Sequence, residues 1–206
     1  MDVSEGKTYW ELGPTRRPRL FYGLVLGVVM VVLSALLQNG YWAAGTDNAL
    51  YFLSARNLLA GEGFMVNASW LQWYPPGWPV FLSGLMCLHS SFFFLNAVGK
   101  ILLITAGIFF YLFFLHRTTP EKAFGACLLT VLLWRYMRVS YVLSSECLFI
   151  PLLTGALLLA DAIRRNRIES WPARWLLLPV LCISLVSVRW VGPLAAVSVG
   201  AVLVTG

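Results

Sequence analysis

The amino-acid sequence predicts an all-α polytopic membrane protein with about six transmembrane helices. Three observations lead there. The 206 residues are 59% hydrophobic and only 12% charged, and the mean hydropathy is +0.77. A soluble domain carries roughly 25% charged residues. Half that charge cannot coat a water-facing surface, so lipid must solvate most of the chain. Uncharged runs of membrane-spanning length recur along the sequence. The net charge of +6 comes from 15 Lys and Arg against 9 Asp and Glu, and the basic residues sit in clusters between the apolar runs. That is the pattern of membrane orientation, and it argues against a nucleic-acid partner, which would need one continuous basic stripe.

Residues 20–38 are nineteen uncharged residues preceded by Arg16, Arg17 and Arg19. This is the length of a first span, and its basic flank puts the N-terminus in the cytoplasm. Nineteen residues precede the run and no small-residue cleavage pattern ends it, so a cleavable signal peptide is not expected. A polar, aromatic-rich outer loop over residues 39–91 comes next. Thr46-Asp47 can cap a helix over 48–60, and Gly61 and Gly63 can stop it. Leu50, Phe52, Leu53 and Leu59 favour laying that helix along the interface, within a belt of Tyr41, Trp42, Trp70, Trp73, Tyr74 and Trp78. Pro75-Pro76-Gly77 breaks the chain before residues 78–89. That run is too short to span, and reads as re-entrant or interfacial.

The second span is Phe92–Leu115, interrupted only by Lys100. The third is 123–143, with Arg135 and Arg138 near its outer end, and the fourth is 147–163. Residues 175–206 carry a single charge, Arg189. As one helix of 32 residues they would be about 48 Å long, against a core of about 30 Å. A hairpin near 189–193 fits better and gives the fifth and sixth spans. The four cysteines lie in apolar runs without a CxxC, so they read as small hydrophobes rather than as a disulfide or zinc framework. No repeat or soluble domain interrupts residues 1–206, which form a single membrane domain.

With the N-terminus inside, ten basic residues (Lys7, Arg16, Arg17, Arg19, Arg117, Lys122, Arg164, Arg165, Arg167 and Arg174) fall on the cytoplasmic side. Five, Arg56, Lys100, Arg135, Arg138 and Arg189, fall outside or at outer helix ends. The bias supports the orientation, and the five exceptions are candidates for a site. The acids expected on the outer face are Asp47, Glu62 and Glu146. Asp47 follows the first span and Glu146 lies in the short link between spans three and four, so both belong at one depth. Paired carboxylates among cations can hold a divalent metal or supply a general base beside a phosphate. The plain structural alternatives are an N-cap for Asp47, a solvated loop acid for Glu146, and snorkelling to headgroups for Arg135 and Arg138. Lys100 and Arg189 lie deeper in apolar runs, where an ionisable group points to function. Asn67-Ala68-Ser69 matches a glycosylation sequon.

The segments Thr46-Asp47-Asn48-Ala49-Leu50-Tyr51 and Ala55-Arg56-Asn57-Leu58-Leu59-Ala60-Gly61-Glu62-Gly63-Phe64 resemble the first outer loop of the polyprenyl-phosphate-sugar-dependent glycosyltransferases. These form the glycosyltransferase C superfamily, which includes protein O-mannosyltransferases and the aminoarabinose transferases of lipid A. Tyr74-Pro75-Pro76-Gly77-Trp78-Pro79 resembles the family's proline motif, and Ser145-Glu146 falls where it has a second outer-loop acid. The resemblance implies a multi-pass protein of the plasma membrane, in bacteria the inner membrane, acting on the cell envelope. It implies a polyprenyl-phosphate sugar donor and a lipid, glycan or protein acceptor. Asp47 then corresponds to the essential acid, as general base or metal ligand, and Glu146 to the second acid, with Mg or Mn as candidate metal. Charge developing on the lipid phosphate needs preorganised cations, for which Arg138, Lys100, Arg189 and Arg135 are the candidates. Members of the family continue through further helices, so the expectation is the N-terminal module of a longer architecture. The alternative is a non-catalytic membrane protein, a truncated remnant or a lipid-binding subunit. A transporter would need paired broken helices in two halves, and none is evident.

Overall fold

A computed structural model describes residues 16–41, 46–67, 69–70, 74–133, 138–139, 141–165 and 176–204. Helices α1 (Arg16–Leu36), α2 (Thr46–Leu59), α3 (Gly77–Leu88), α4 (Phe92–Leu115), α5 (Pro120–Leu132), α6 (Glu146–Arg164), α7 (Leu178–Val188) and α8 (Gly192–Val204) account for most of it. A small antiparallel hairpin, β1 (Met65–Val66) with β2 (Ser69–Trp70), pairs Met65 with Trp70 and Val66 with Ser69. Its turn uses Asn67 at φ 51°, the left-handed conformation that Asn tolerates and two-residue hairpin turns demand. Three helices are long and apolar enough to cross a membrane: Arg17–Leu36, Phe92–Leu115 and Glu146–Arg164. Helices α3, α7 and α8 are apolar but shorter.

The long pair α4 and α6 makes the most extensive helix contact and forms the spine. Small residues let the backbones approach, as in membrane helix pairs generally. A Cβ on Gly99 would meet Leu143 at 3.3 Å and the Cys147 sulfur at 3.5 Å, and one on Gly155 would meet the Phe109 ring at 3.2 Å. The two helices run parallel. Gly99 of α4 faces Cys147 at the start of α6, while His116, just past α4, bonds Asp161 near the end of α6. The molecule therefore has a Glu146 end and an Asp161 end. Helix α1 runs the opposite way, since the Tyr111 hydroxyl donates to the Arg19 carbonyl and Gln38 Nε2 donates to the Phe93 carbonyl. Leu26 and Met30 of α1 join Tyr111, Leu115, Ala123, Cys127 and Val131 in one core cluster. Most of the rest of α1 is bare apolar surface, with Leu24 at 70% and Leu36 at 75% exposure, as a lipid-facing helix requires.

Several expectations change. The predicted third span over 123–143 is not one described helix: α5 stops at Leu132, and Leu133 is extended at φ −60°, ψ 135°. Residues 133–143 have neither Gly nor Pro, so no helix-breaking residue marked the break. Helix α2 begins at Thr46, which puts Asp47 in the first turn instead of just before it. Its end is a Schellman motif with Gly61 at φ 77°, where Gly61 N–H bonds Leu58 O and Glu62 N–H bonds Asn57 O. The helix does not merely float on an interface, because Tyr51 and Ala55 pack into a core with Trp78, Leu82 and Met86 of α3. Trp78, expected in an aromatic belt, is fully buried there, whereas Tyr41 is 83% exposed. Cys127 and Cys147 are buried as small hydrophobes, but Cys87 is exposed.

Candidate functional site

Glu146 opens α6, and the chain returns to it through α7, whose last residue is followed by Arg189. The two side chains form an ion pair, with Arg189 31% and Glu146 24% exposed. Arg189 can reach there because the α7–α8 hairpin is extremely tight. A Cβ on Gly192 would collide with the Leu185 carbonyl and the Val186 Cα, so glycine is required at that corner. The N-terminus of α3 closes on the same place. A Cβ on Gly77 would come within 2.7 Å of both the Ser187 carbonyl and its hydroxyl oxygen. The Pro75-Pro76-Gly77 break thus docks the loop directly onto the end of α7.

Docking Pro75 and Pro76 brings Tyr74 with them. The Tyr74 hydroxyl donates to Asp47 Oδ1 at 3.2 Å, and its ring meets that of Tyr51 edge-on at 5.4 Å between centroids. Tyr51 is the hinge of the arrangement. Burial raises its phenol above the usual tyrosine value and Asp47 adds to the rise, while Arg189 and the Ser145 hydroxyl pull the other way. The raised phenol keeps Tyr51 protonated at neutral pH. Asp47, 99 positions before Glu146 in the sequence, is thus bonded to Tyr74, and Glu146 is paired with Arg189.

Beside this cluster lies a cleft of about 510 Å³ between the Tyr74-Pro75-Pro76 corner and the α7–α8 turn. Its walls are Ile183, Val186, Trp190 and Pro193, with Tyr74, Ser187 and Arg189 adding polar groups to the lining. An apolar slot with a few polar groups at one side is the usual form of a site for an amphipathic ligand.

The other expected residues are placed differently. Lys100 is buried, and its Nζ donates to Gln38 Oε1 at 2.8 Å. It belongs to a polar link that ties the end of α1 to α4, together with Asn96, which donates to Asn39 Oδ1 at 2.9 Å. Arg138 is exposed in a helical turn before α6. Arg135 lies outside the described residues. The sequence reading missed Tyr51, Tyr74 as a partner of Asp47, and the Ser145 contact. The adjacency of Ser145 to Glu146, and the positions of Tyr51 and Tyr74 in the two loop motifs, were the available signals. Mg or Mn takes about six oxygen ligands. The described side chains offer two carboxylates, one of them already paired with Arg189, and a phenol. Mg is commonly held by one or two carboxylates, with water and substrate phosphate completing the shell, and among the described residues no three His, Cys, Asp or Glu side chains stand together. Compared with protein-family profiles, with characterised proteins and with solved structures, the chain matches none.

Proposed function

We propose that this chain is the membrane module of a glycosyltransferase that moves a sugar from a polyprenyl-phosphate donor to an acceptor at the outer face. The reading rests on the resemblance of the first loop, the proline motif and Ser145-Glu146. The observation that carries it is an apolar cleft lined by both Tyr74, the partner of Asp47, and Arg189, the partner of Glu146. The isoprenoid chain of the donor would lie in the cleft, with its phosphate at Arg189. An acceptor hydroxyl oxygen attacks the anomeric carbon, the bond from that carbon to the phosphate oxygen breaks, and polyprenyl phosphate leaves with the electron pair. The hydroxyl proton passes to Asp47. Tyr74 occupies Oδ1, which directs the proton to Oδ2. Arg189 holds the charge that grows on the leaving phosphate, and Glu146 sets the position of its guanidinium. Six crossings with the N-terminus in the cytoplasm belong to the same reading, because they put the Glu146 end outside.

The test is release of polyprenyl phosphate by the purified chain in liposomes, supplied with polyprenyl-phosphate mannose or polyprenyl-phosphate aminoarabinose and a matching acceptor. Loss of a general base costs about 100-fold or more, so Asp47→Asn should lower turnover by that factor while donor binding persists. Equal turnover in wild type and D47N would overturn the catalytic assignment. Donor binding with no turnover in either protein would favour the non-catalytic, lipid-binding alternative, which the apolar cleft supports equally well.

A further inference from the structure

The opposite end of the spine carries a second constellation that the transferase reading does not use. Asp161 is fully buried one turn before the end of α6. Four groups converge on its carboxylate: Arg117 at 2.9 Å and Arg164 at 3.1 Å on Oδ1, and Arg165 at 3.0 Å and His116 Nδ1 at 3.0 Å on Oδ2. Four bonds saturate both oxygens of a carboxylate. Arg165 also donates to the His116 carbonyl at 2.9 Å, and Arg117 lies over the Phe113 ring at 3.7 Å from its centroid. The aromatic shelf holds the guanidinium flat where the apolar helix ends.

A helix staple would need one cation for one acid. Here, among the described residues, three guanidiniums meet a single buried carboxylate, and they remain 31%, 24% and 22% exposed for Arg117, Arg164 and Arg165 while the acid is sealed. The surplus of positive charge sits at the end of membrane-length helices, where unneutralised charge is costly. Guanidinium forks suit phosphate oxygens, and basic pockets between transmembrane helices take phosphorylated headgroups. We propose that Arg117, Arg164 and Arg165, ordered by Asp161, form a binding site for a phosphate diester or monoester, filled by the headgroup of an anionic phospholipid in the adjoining leaflet. Asp161 acts as the internal template: it holds the three guanidiniums, each of which keeps N–H groups beyond those given to Asp161 and, from Arg117 and Arg165, to the Phe113 and His116 carbonyls. The site stands independently of the proposed transfer chemistry.

The test uses the full chain in nanodiscs of phosphatidylcholine doped with phosphatidylglycerol, with bound lipid counted by native mass spectrometry. A parallel arm titrates inorganic phosphate onto the chain in zwitterionic detergent and reads thermal stability. The expected result is retention of phosphatidylglycerol at least tenfold over phosphatidylcholine, weakened by salt and reduced about tenfold by Arg117→Gln. Arg117→Lys, which keeps the charge but not the fork, should fall between. Stabilisation by millimolar inorganic phosphate that R117Q abolishes would support the same chemistry with a soluble source. No preference for phosphatidylglycerol together with no response to phosphate would overturn the site, and so would a preference that R117Q leaves unchanged. If R117Q does not fold, the wild-type lipid comparison decides alone.

Discussion

Arg189 and Glu146 carry most of the information at the level of single residues. Neither residue type was hard to suspect: an arginine inside an apolar run and an acid beside a short link both stand out. Their pairing was not legible, because it depends on where a hairpin 43 positions later returns the chain. Lys100 shows the reverse case, an anomalous charge whose partner is the uncharged Gln38, so that burial is met by a hydrogen bond and not by the candidate site. Asp161 was overlooked although an acid within an apolar helix is itself a signal, and arginines three and four residues on reinforce it. The Glu146–Arg189 pair makes a direct prediction. It is partly buried, between the exposed limit of under about 1 kcal/mol and the buried limit of about 3–5 kcal/mol for removing one partner. A double-mutant cycle with Glu146→Gln and Arg189→Gln, read by unfolding in detergent, should show a coupling of about 1–2 kcal/mol. The double variant should be less damaged than the sum of the singles, since each single leaves one charge unmatched. Zero coupling would mean that Glu146 does not position Arg189.

Helices were legible in proportion to their apolar length. The runs behind α1, α4 and α6 are long, and charges or caps bound them, so hydropathy alone finds them. The end of α2 was legible because Gly61 supplies the left-handed residue a Schellman motif needs. The break after Leu132 was not, because residues 126–134 hold no Gly, Pro or charge. Neither was the docking of α3, since Pro75-Pro76-Gly77 announces a corner without saying what the corner touches. That corner is open to test. Gly77 sits where any side chain would run into Ser187 backbone as well as its hydroxyl, and backbone cannot swing aside. Overpacking at such a contact costs about 1–3 kcal/mol. Gly77→Val should therefore lower the midpoint of thermal unfolding by several degrees and open the cleft, read as faster labelling of a cysteine placed at Val186. A G77V protein with unchanged stability and labelling would show that α3 does not seat on α7.

For the whole molecule the open quantity is how many times the chain crosses. Three helices have the length to do so, whereas α5, α7 and α8 have 13, 11 and 13 residues, or about 20, 17 and 20 Å at 1.5 Å per residue. Each falls short of a core of about 30 Å. The arrangement of the long helices nevertheless constrains the short ones. Helices α4 and α6 run parallel, so the chain must travel from His116 at the Asp161 end back to Glu146 at the other. Only α5 and the residues up to 145 are there to make that journey. The same argument applies between Arg165 and Arg189: the first bonds Asp161 and the second pairs with Glu146, so the stretch ending in α7 must return as well. If α4 and α6 span, two further crossings follow from geometry, although neither helix alone would be recognised by length. Charge then sets the direction. Arg117, Arg164 and Arg165 lie at one end and the proline corner at the other, and the positive-inside rule assigns the first to the cytoplasm. Reporter fusions after Arg117 and after Arg165 should both read cytoplasmic, and fusions at Val66 and Arg189 should both read external. Opposite readings at Arg117 and Arg165 would mean that the parallel pair does not span as described. An external reading at both, with Val66 inside, would invert the molecule, put Asp47 and Glu146 on the cytoplasmic side, and remove the outer-leaflet donor from the proposed reaction.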